Sequence, residues 1–110
     1  AWDIYVSAMV TAPTGDPEYF FTYHCLDSSS SNDGHYHSDA LEALAQEMSQ
    51  TFDAGERGRL AVQMQQILLD DNAYVFCSHL RMSMIMKSNV TGLTAHPCDY
   101  YEITAELDIS

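Results

Sequence analysis

Apolar and polar positions alternate with two different periods along this chain, and the change of period divides it into segments. Ile4, Val6, Ala8 and Val10 lie on one face of an extended segment, with Asp3, Tyr5, Ser7 and Met9 on the other, which predicts a strand over residues 1–10. Thr11-Ala12-Pro13-Thr14-Gly15-Asp16-Pro17 breaks it, because two prolines and a glycine oppose a regular ladder or helix. An aromatic run follows at Tyr19, Phe20, Phe21 and Tyr23, and residues 11–37 read as a turn and loop suited to lining a cleft. Leu26 to Gly34, with four consecutive serines, reads as a surface loop with nothing to bury.

The period then becomes helical. Leu41, Leu44, Ala45, Met48 and Phe52 form one apolar stripe behind Ser38, a predicted N-cap with Asp39 in the first turn. A second stripe, Leu60, Ala61, Met64, Ile67 and Leu68, follows Asp53 and Glu56, an Asp-x-x-Glu variant of the capping box, and stops at Asp70-Asp71-Asn72. Residues 38–71 therefore predict a helical hairpin. Over residues 73–109 the reading returns to strands and loop. Tyr74 to Cys77 is a short apolar run; Leu80, Met82, Met84 and Met86 alternate with Arg81, Ser83 and Lys87; Ser88 to Asp99 is loop; and Ile103, Ala105, Leu107 and Ile109 alternate with Thr104, Glu106 and Asp108 from Tyr100 onwards. The fold class expected is α+β, a helical hairpin packed on a small mixed sheet.

Composition narrows the function. Sixteen acids against four bases give a formal charge of −12, and no basic patch is present, so nucleic-acid binding is not expected. An acidic surface favours cationic ligands through its long-range field. Signal-peptide, lipidation and membrane-spanning patterns are absent. Three cysteines, Cys25, Cys77 and Cys98, leave at least one unpaired within the chain, and Cys77 in its apolar run reads as a buried structural thiol. The Asn89-Val90-Thr91 sequon reads as chance. No H-E-x-x-H, G-x-S-x-G, P-loop or dinucleotide motif occurs, and the carboxylates form no acid/base pair, so an enzyme is not expected.

The chemistry that remains is imidazole. Neutral histidine suits nickel, copper, zinc and iron. His35 and His37 form an H-x-H pair in the loop, and His24 ends the aromatic run; His79 and His96 stand apart from these and read as ordinary surface or structural residues.

Trp2-Asp3-Ile4-Tyr5-x-Ser7, then a Pro/Gly turn with Asp16-Pro17 and an aromatic run, resembles the extracytoplasmic solute-binding proteins of peptide and nickel ABC importers. AMVTAPTGDPEYFF resembles their nickel-binding branch, and SDALEALAQEMSQTFDAGERGRLAVQMQQILLDD together with Asn-Ala-Tyr-Val-Phe resembles the hairpin and following strand of one lobe. The family's tryptophan near Met9-Val10 has no counterpart in this chain.

The resemblance implies a C-terminal fragment of a two-lobed type II periplasmic-binding-protein fold, with residues 1–10 as an inter-lobe strand and the N-terminal portion of the parent chain missing. It implies a subunit in the periplasm, or lipoprotein-anchored outside the cytoplasmic membrane, delivering nickel or a nickel chelate to ABC permease subunits. Nickel would be cargo rather than a resident cofactor. His24, His35 and His37 become candidate metal ligands, and Thr11, Tyr19, Tyr23 and Arg81 candidate ligand contacts, Arg81 through paired hydrogen bonds to a carboxylate. A dipeptide- or oligopeptide-binding protein of the same family is the alternative. A free-standing metal-buffering or interaction module is the alternative of another class, and exposed former interface would favour a homodimer of the fragment.

Overall fold

The computed structural model describes residues 3–81, 83–96, 98 and 103–109. Among them the chain forms three α-helices and one two-stranded antiparallel sheet, a small α+β arrangement. Helix α1 (Glu18–Phe20) runs directly into a π-helical turn, Phe21–Cys25; α2 spans Asp39–Gln50 and α3 Ala54–Asp70. Strands β1 (Val90–Thr91) and β2 (Asp108–Ile109) pair Val90 with Ile109 and Thr91 with Asp108.

The helical hairpin stands where the apolar period places it, and its ends are chemically capped. Ser38 Oγ accepts from the Leu41 amide, and Asp53 Oδ1 accepts from the Glu56 amide at 2.9 Å. The capping box is only half formed, since the Glu56 carboxylate turns to Arg59 instead of back to the cap. At the far end of α3, Asn72 takes a left-handed φ of 53° and the Ala73 amide reaches the Leu68 carbonyl. Asparagine fills the role that glycine usually takes in such a stop.

The core is where the two stripes meet the aromatic turn. Leu41, Ala45 and Met48 from α2 and Leu60, Met64 and Leu68 from α3 close over Phe20, Phe21 and Cys25. The expected packing of the hairpin on a mixed sheet is corrected here. The sheet is a two-residue antiparallel ribbon that adds nothing to the core, and the helical turn after Pro17 covers the hairpin in its place. The physical reason is that Phe20 and Phe21 supply a larger apolar face than a short strand offers.

Four further expectations are corrected. Residues 3–10 are open chain rather than strand, with Ile4 84% and Val6 82% exposed. Tyr74 to Cys77 and the described residues of Leu80 to Met86 are likewise open, with Val75, Leu80 and Ile85 exposed. Alternation prepares a strand, but a strand also needs a neighbour for its amides. Thr104 to Leu107 is a turn closed by the Leu107 amide on the Thr104 carbonyl, so the last strand is confined to Asp108 and Ile109. Trp2, Met82, Pro97, Asp99 and Tyr100 lie outside the described residues. The Cα radius of gyration of 17.3 Å exceeds the roughly 13 Å of a compact chain of this length, as these open segments require.

The serine-rich loop is also better organised than its composition suggests. Asn32 is buried, its Nδ2 donates to the carbonyls of Leu26 and Tyr36, and its Oδ1 accepts from the Tyr36 amide. One side-chain amide thus closes the loop in the manner of an Ω-loop. The Tyr36 hydroxyl then donates to Asp71 Oδ2 at 2.6 Å, tying the loop to the end of α3.

A single guanidinium joins the three helices. Arg57 Nη1 donates to the carbonyls of Met48 (2.7 Å) and Thr51 (2.9 Å), and Nη2 donates to both Asp16 oxygens (2.7 Å each) and to Glu18 Oε2 (2.6 Å). Burial raises the Asp16 pKa, but the Arg57 hydrogen bond, the Glu18 amide and the Arg57 charge together outweigh it and leave the pKa below its ordinary 3.8. A lowered folded-state pKa means that Asp16 contributes stability above the unfolded value and loses it as pH falls through the folded one. The thermal midpoint of Asp16→Asn should therefore lie below that of the parent at neutral pH, with the gap closing only as pH drops under 3.8. A gap independent of pH would refute the ionic account. Leu60→Ala, at a fully buried position, should cost about 2–5 kcal/mol in urea unfolding followed by helical circular dichroism.

Candidate functional site

The aromatic run places several rings in mutual contact, and backbone geometry explains why. The Ala12–Gly15 turn, closed by the Gly15 amide on the Ala12 carbonyl, delivers Asp16 to the start of α1. Asp16 Oδ1 accepts from the Glu18 amide at 2.8 Å and begins the helix that Pro17 cannot cap with a side chain. The helix then widens, the Leu26 amide bonding to the Phe21 carbonyl five residues back. π-Helical turns are rare and occur often at functional sites.

The widened turn sets the rings. Tyr19 and Tyr23 stack with centroids 5.1 Å apart and planes 11° from parallel. His24 stands nearly perpendicular to both, 5.0 Å from Tyr23 and 6.3 Å from Tyr19. Phe20 lies beneath, 5.9 Å from His24, and meets Tyr74 and Phe76 at 5.8 and 6.0 Å. The Tyr74 hydroxyl donates to the His24 carbonyl at 2.6 Å, and Ser29 Oγ donates to the Tyr23 carbonyl, so both backbone positions are held from outside the turn. Tyr23 is about half exposed and His24 partly exposed, which leaves ring faces and an imidazole at the surface.

The other expected site residues are dispersed. His35 is exposed in the loop with a left-handed φ of 51°. His37 lies between two carboxylates, Nε2 3.3 Å from Asp39 Oδ1 and Nδ1 3.9 Å from Asp27 Oδ2. Thr11 is exposed just before the proline turn, and Arg81 is exposed with no hydrogen bond or ion pair among the described residues. The structure brings together Tyr19, Tyr23 and His24, and does not bring His24, His35 and His37 into one metal shell. Among the described residues no three histidine, cysteine or acidic side chains are placed to hold an ion. No protein-family model matches the chain, and no curated protein or solved structure is detectably similar to it.

Two residues of this region escape sequence reasoning. Arg57 reads as one more polar residue of an amphipathic helix, and only the packing shows it 15% exposed. Phe52 reads as the last residue of the α2 stripe, but α2 ends at Gln50 and Phe52 stands 92% exposed in the interhelical loop.

The thiols are corrected as well. Cys77 is exposed rather than buried, and Cys25 is the core thiol. Burial pushes Cys25 up to about 12 against the opposing hydrogen bond of Tyr74, and burial, then the charge and hydrogen bond of Cys25, raise Tyr74 to about 12 as well. Because the thiolate is the reactive form, Cys25 should stay inert in the native protein. Titration with a chromogenic aromatic disulfide at pH 8 should modify Cys77 rapidly and Cys25 only after denaturation; rapid modification of all three thiols would refute this core.

Proposed function

We propose that this chain is the C-terminal, ligand-contacting portion of an extracytoplasmic solute-binding subunit that captures nickel or a nickel chelate for an ABC permease. One observation carries the reading: the stretch AMVTAPTGDPEYFF, on which the resemblance rests, leads through α1 into the π-helical turn Phe21–Cys25, and α1 and that turn together present Tyr19, Tyr23 and His24 side by side. A chelated ion arrives with most of its coordination shell filled. It asks the protein for flat faces to lie against and for one further donor, and a stacked tyrosine pair with an imidazole at its edge supplies both.

In this reading His24 is the donor nearest the aromatic faces, and His35 and His37 are donors on the adjoining loop. The exposed Arg81 guanidinium pairs with a chelator carboxylate, and Thr11 adds a hydroxyl beside the proline turn. The formal charge of −12 raises the local concentration of cations. Closure of a second lobe over this face would then signal loading by population shift.

The deciding experiment is calorimetric titration of nickel chloride into the protein, with and without free histidine. His24→Ala and the double variant His35→Ala with His37→Ala are titrated beside it. The expected result is binding that requires the free histidine and weakens about tenfold or more in His24→Ala, the usual cost of a lost support around a metal. Absence of nickel heat in both conditions would overturn the nickel reading. Heat with short peptides would then assign the same ring faces to a peptide ligand.

A further inference from the structure

The sequence by itself gives Asn89-Val90-Thr91 no significance, but its setting in the fold does. The Val90 amide donates to the Lys87 carbonyl at 3.0 Å and closes a turn with Ser88 and Asn89 at its centre. Asn89 and Thr91 are exposed, on either side of a half-buried Val90. The acceptor amide therefore stands at a turn, with the hydroxyl that N-linked glycan transfer requires two residues on and no proline between. Neither other asparagine offers this. Asn32 is buried and followed by Asp33-Gly34, and Asn72 is followed by Ala73-Tyr74.

The neighbouring structure suits the same chemistry. Val90 and Thr91 pair with Ile109 and Asp108 in a ribbon of two residues a side, too short to be stable alone. The tripeptide can leave that ribbon and lie in an enzyme's groove without disturbing the helical core, to which the ribbon contributes nothing. The surroundings also lack the charge that hydrates the helices. No acid occurs between Ala73 and His96, while Val75, Leu80 and Ile85 are exposed. A glycan is bulky and solubilising, and at Asn89 it would hydrate the stretch that the acidic residues leave bare.

We propose that Asn89 is a site of N-linked glycosylation. This rests on the extracytoplasmic placement in the reading above. The donor is a lipid-linked saccharide phosphate or diphosphate. Asn89 Nδ2 forms a bond to the anomeric carbon, the bond from that carbon to the phosphate oxygen breaks, and the lipid phosphate leaves with the electron pair. The amide nitrogen gives up one proton, and nothing is oxidised or reduced.

The test fractionates the cells that make the protein and maps the full-length chain by mass spectrometry. Trypsin, cutting after Lys87, releases the peptide that begins at Ser88. In the exported protein that peptide should be heavier by a whole number of sugar residues. Asn89→Gln and Thr91→Ala, expressed in the same cells, should lose the added mass entirely, and Thr91→Ser, which keeps the hydroxyl, should retain it. Helical circular dichroism and nickel affinity should be unchanged in Asn89→Gln. An unmodified peptide in exported protein, or sugar retained in Asn89→Gln, would overturn the glycosylation site alone. Recovery of the protein only from the cytoplasm would overturn the extracytoplasmic reading and the site with it.

Discussion

The Arg57 guanidinium is the interaction on which the rest of the packed region depends. A helix leaves its last carbonyls without partners, and the end of α2 lies beside the start of α3, where those groups need a donor. Arg57 supplies it through Met48 and Thr51 and, with its other nitrogen, takes the carboxylates of Asp16 and Glu18. Its planar fork reaches both sets at once, which a lysine ammonium on the same stem would not reproduce. The hairpin angle and the position of α1 are thus set by one side chain that is largely withdrawn from water.

The candidate site inherits its geometry from this clamp. Asp16 does two things, accepting from the Glu18 amide to start α1 and from Arg57 to fix where α1 lies. From that start the π-helical turn follows, and with it the stack of Tyr19 on Tyr23 and the upright ring of His24. Phe20 and Phe21 look inward from the same turn and bind it to the hairpin. Surface rings and buried rings are therefore opposite sides of a single short helix, so the site is as rigid as the core beneath it.

The remainder of the chain behaves differently. Residues 3–10 and the described part of 75–86 carry strand-forming alternation, but apart from the half-buried Met9 and Met84 their apolar side chains are exposed. No acid occurs between Ala73 and His96 in a chain with sixteen, so this stretch is not a solvated acidic surface of the kind the helices present. Its composition suits burial, but beyond Ala73, Tyr74 and Phe76, which meet the core, most of it is left uncovered among the described residues.

What the sequence determines by itself is local. Ser38 and Asp53 start helices, Asn72 stops one, and the two stripes recur at 3.6 residues, because caps and amphipathic period act within a few residues of chain. The aromatic run and His24 were legible as a cluster for the same reason. What only tertiary structure decided is which of these surfaces meet. Phe52 leaves the stripe because α2 ends two residues before it, and Asn32 becomes the pivot of a loop that composition marks as featureless. Arg57 is drawn partly out of water by carboxylates some forty positions away. The alternating segments stay open because a strand's hydrogen bonds belong to its neighbour, and no periodicity within a segment can supply one.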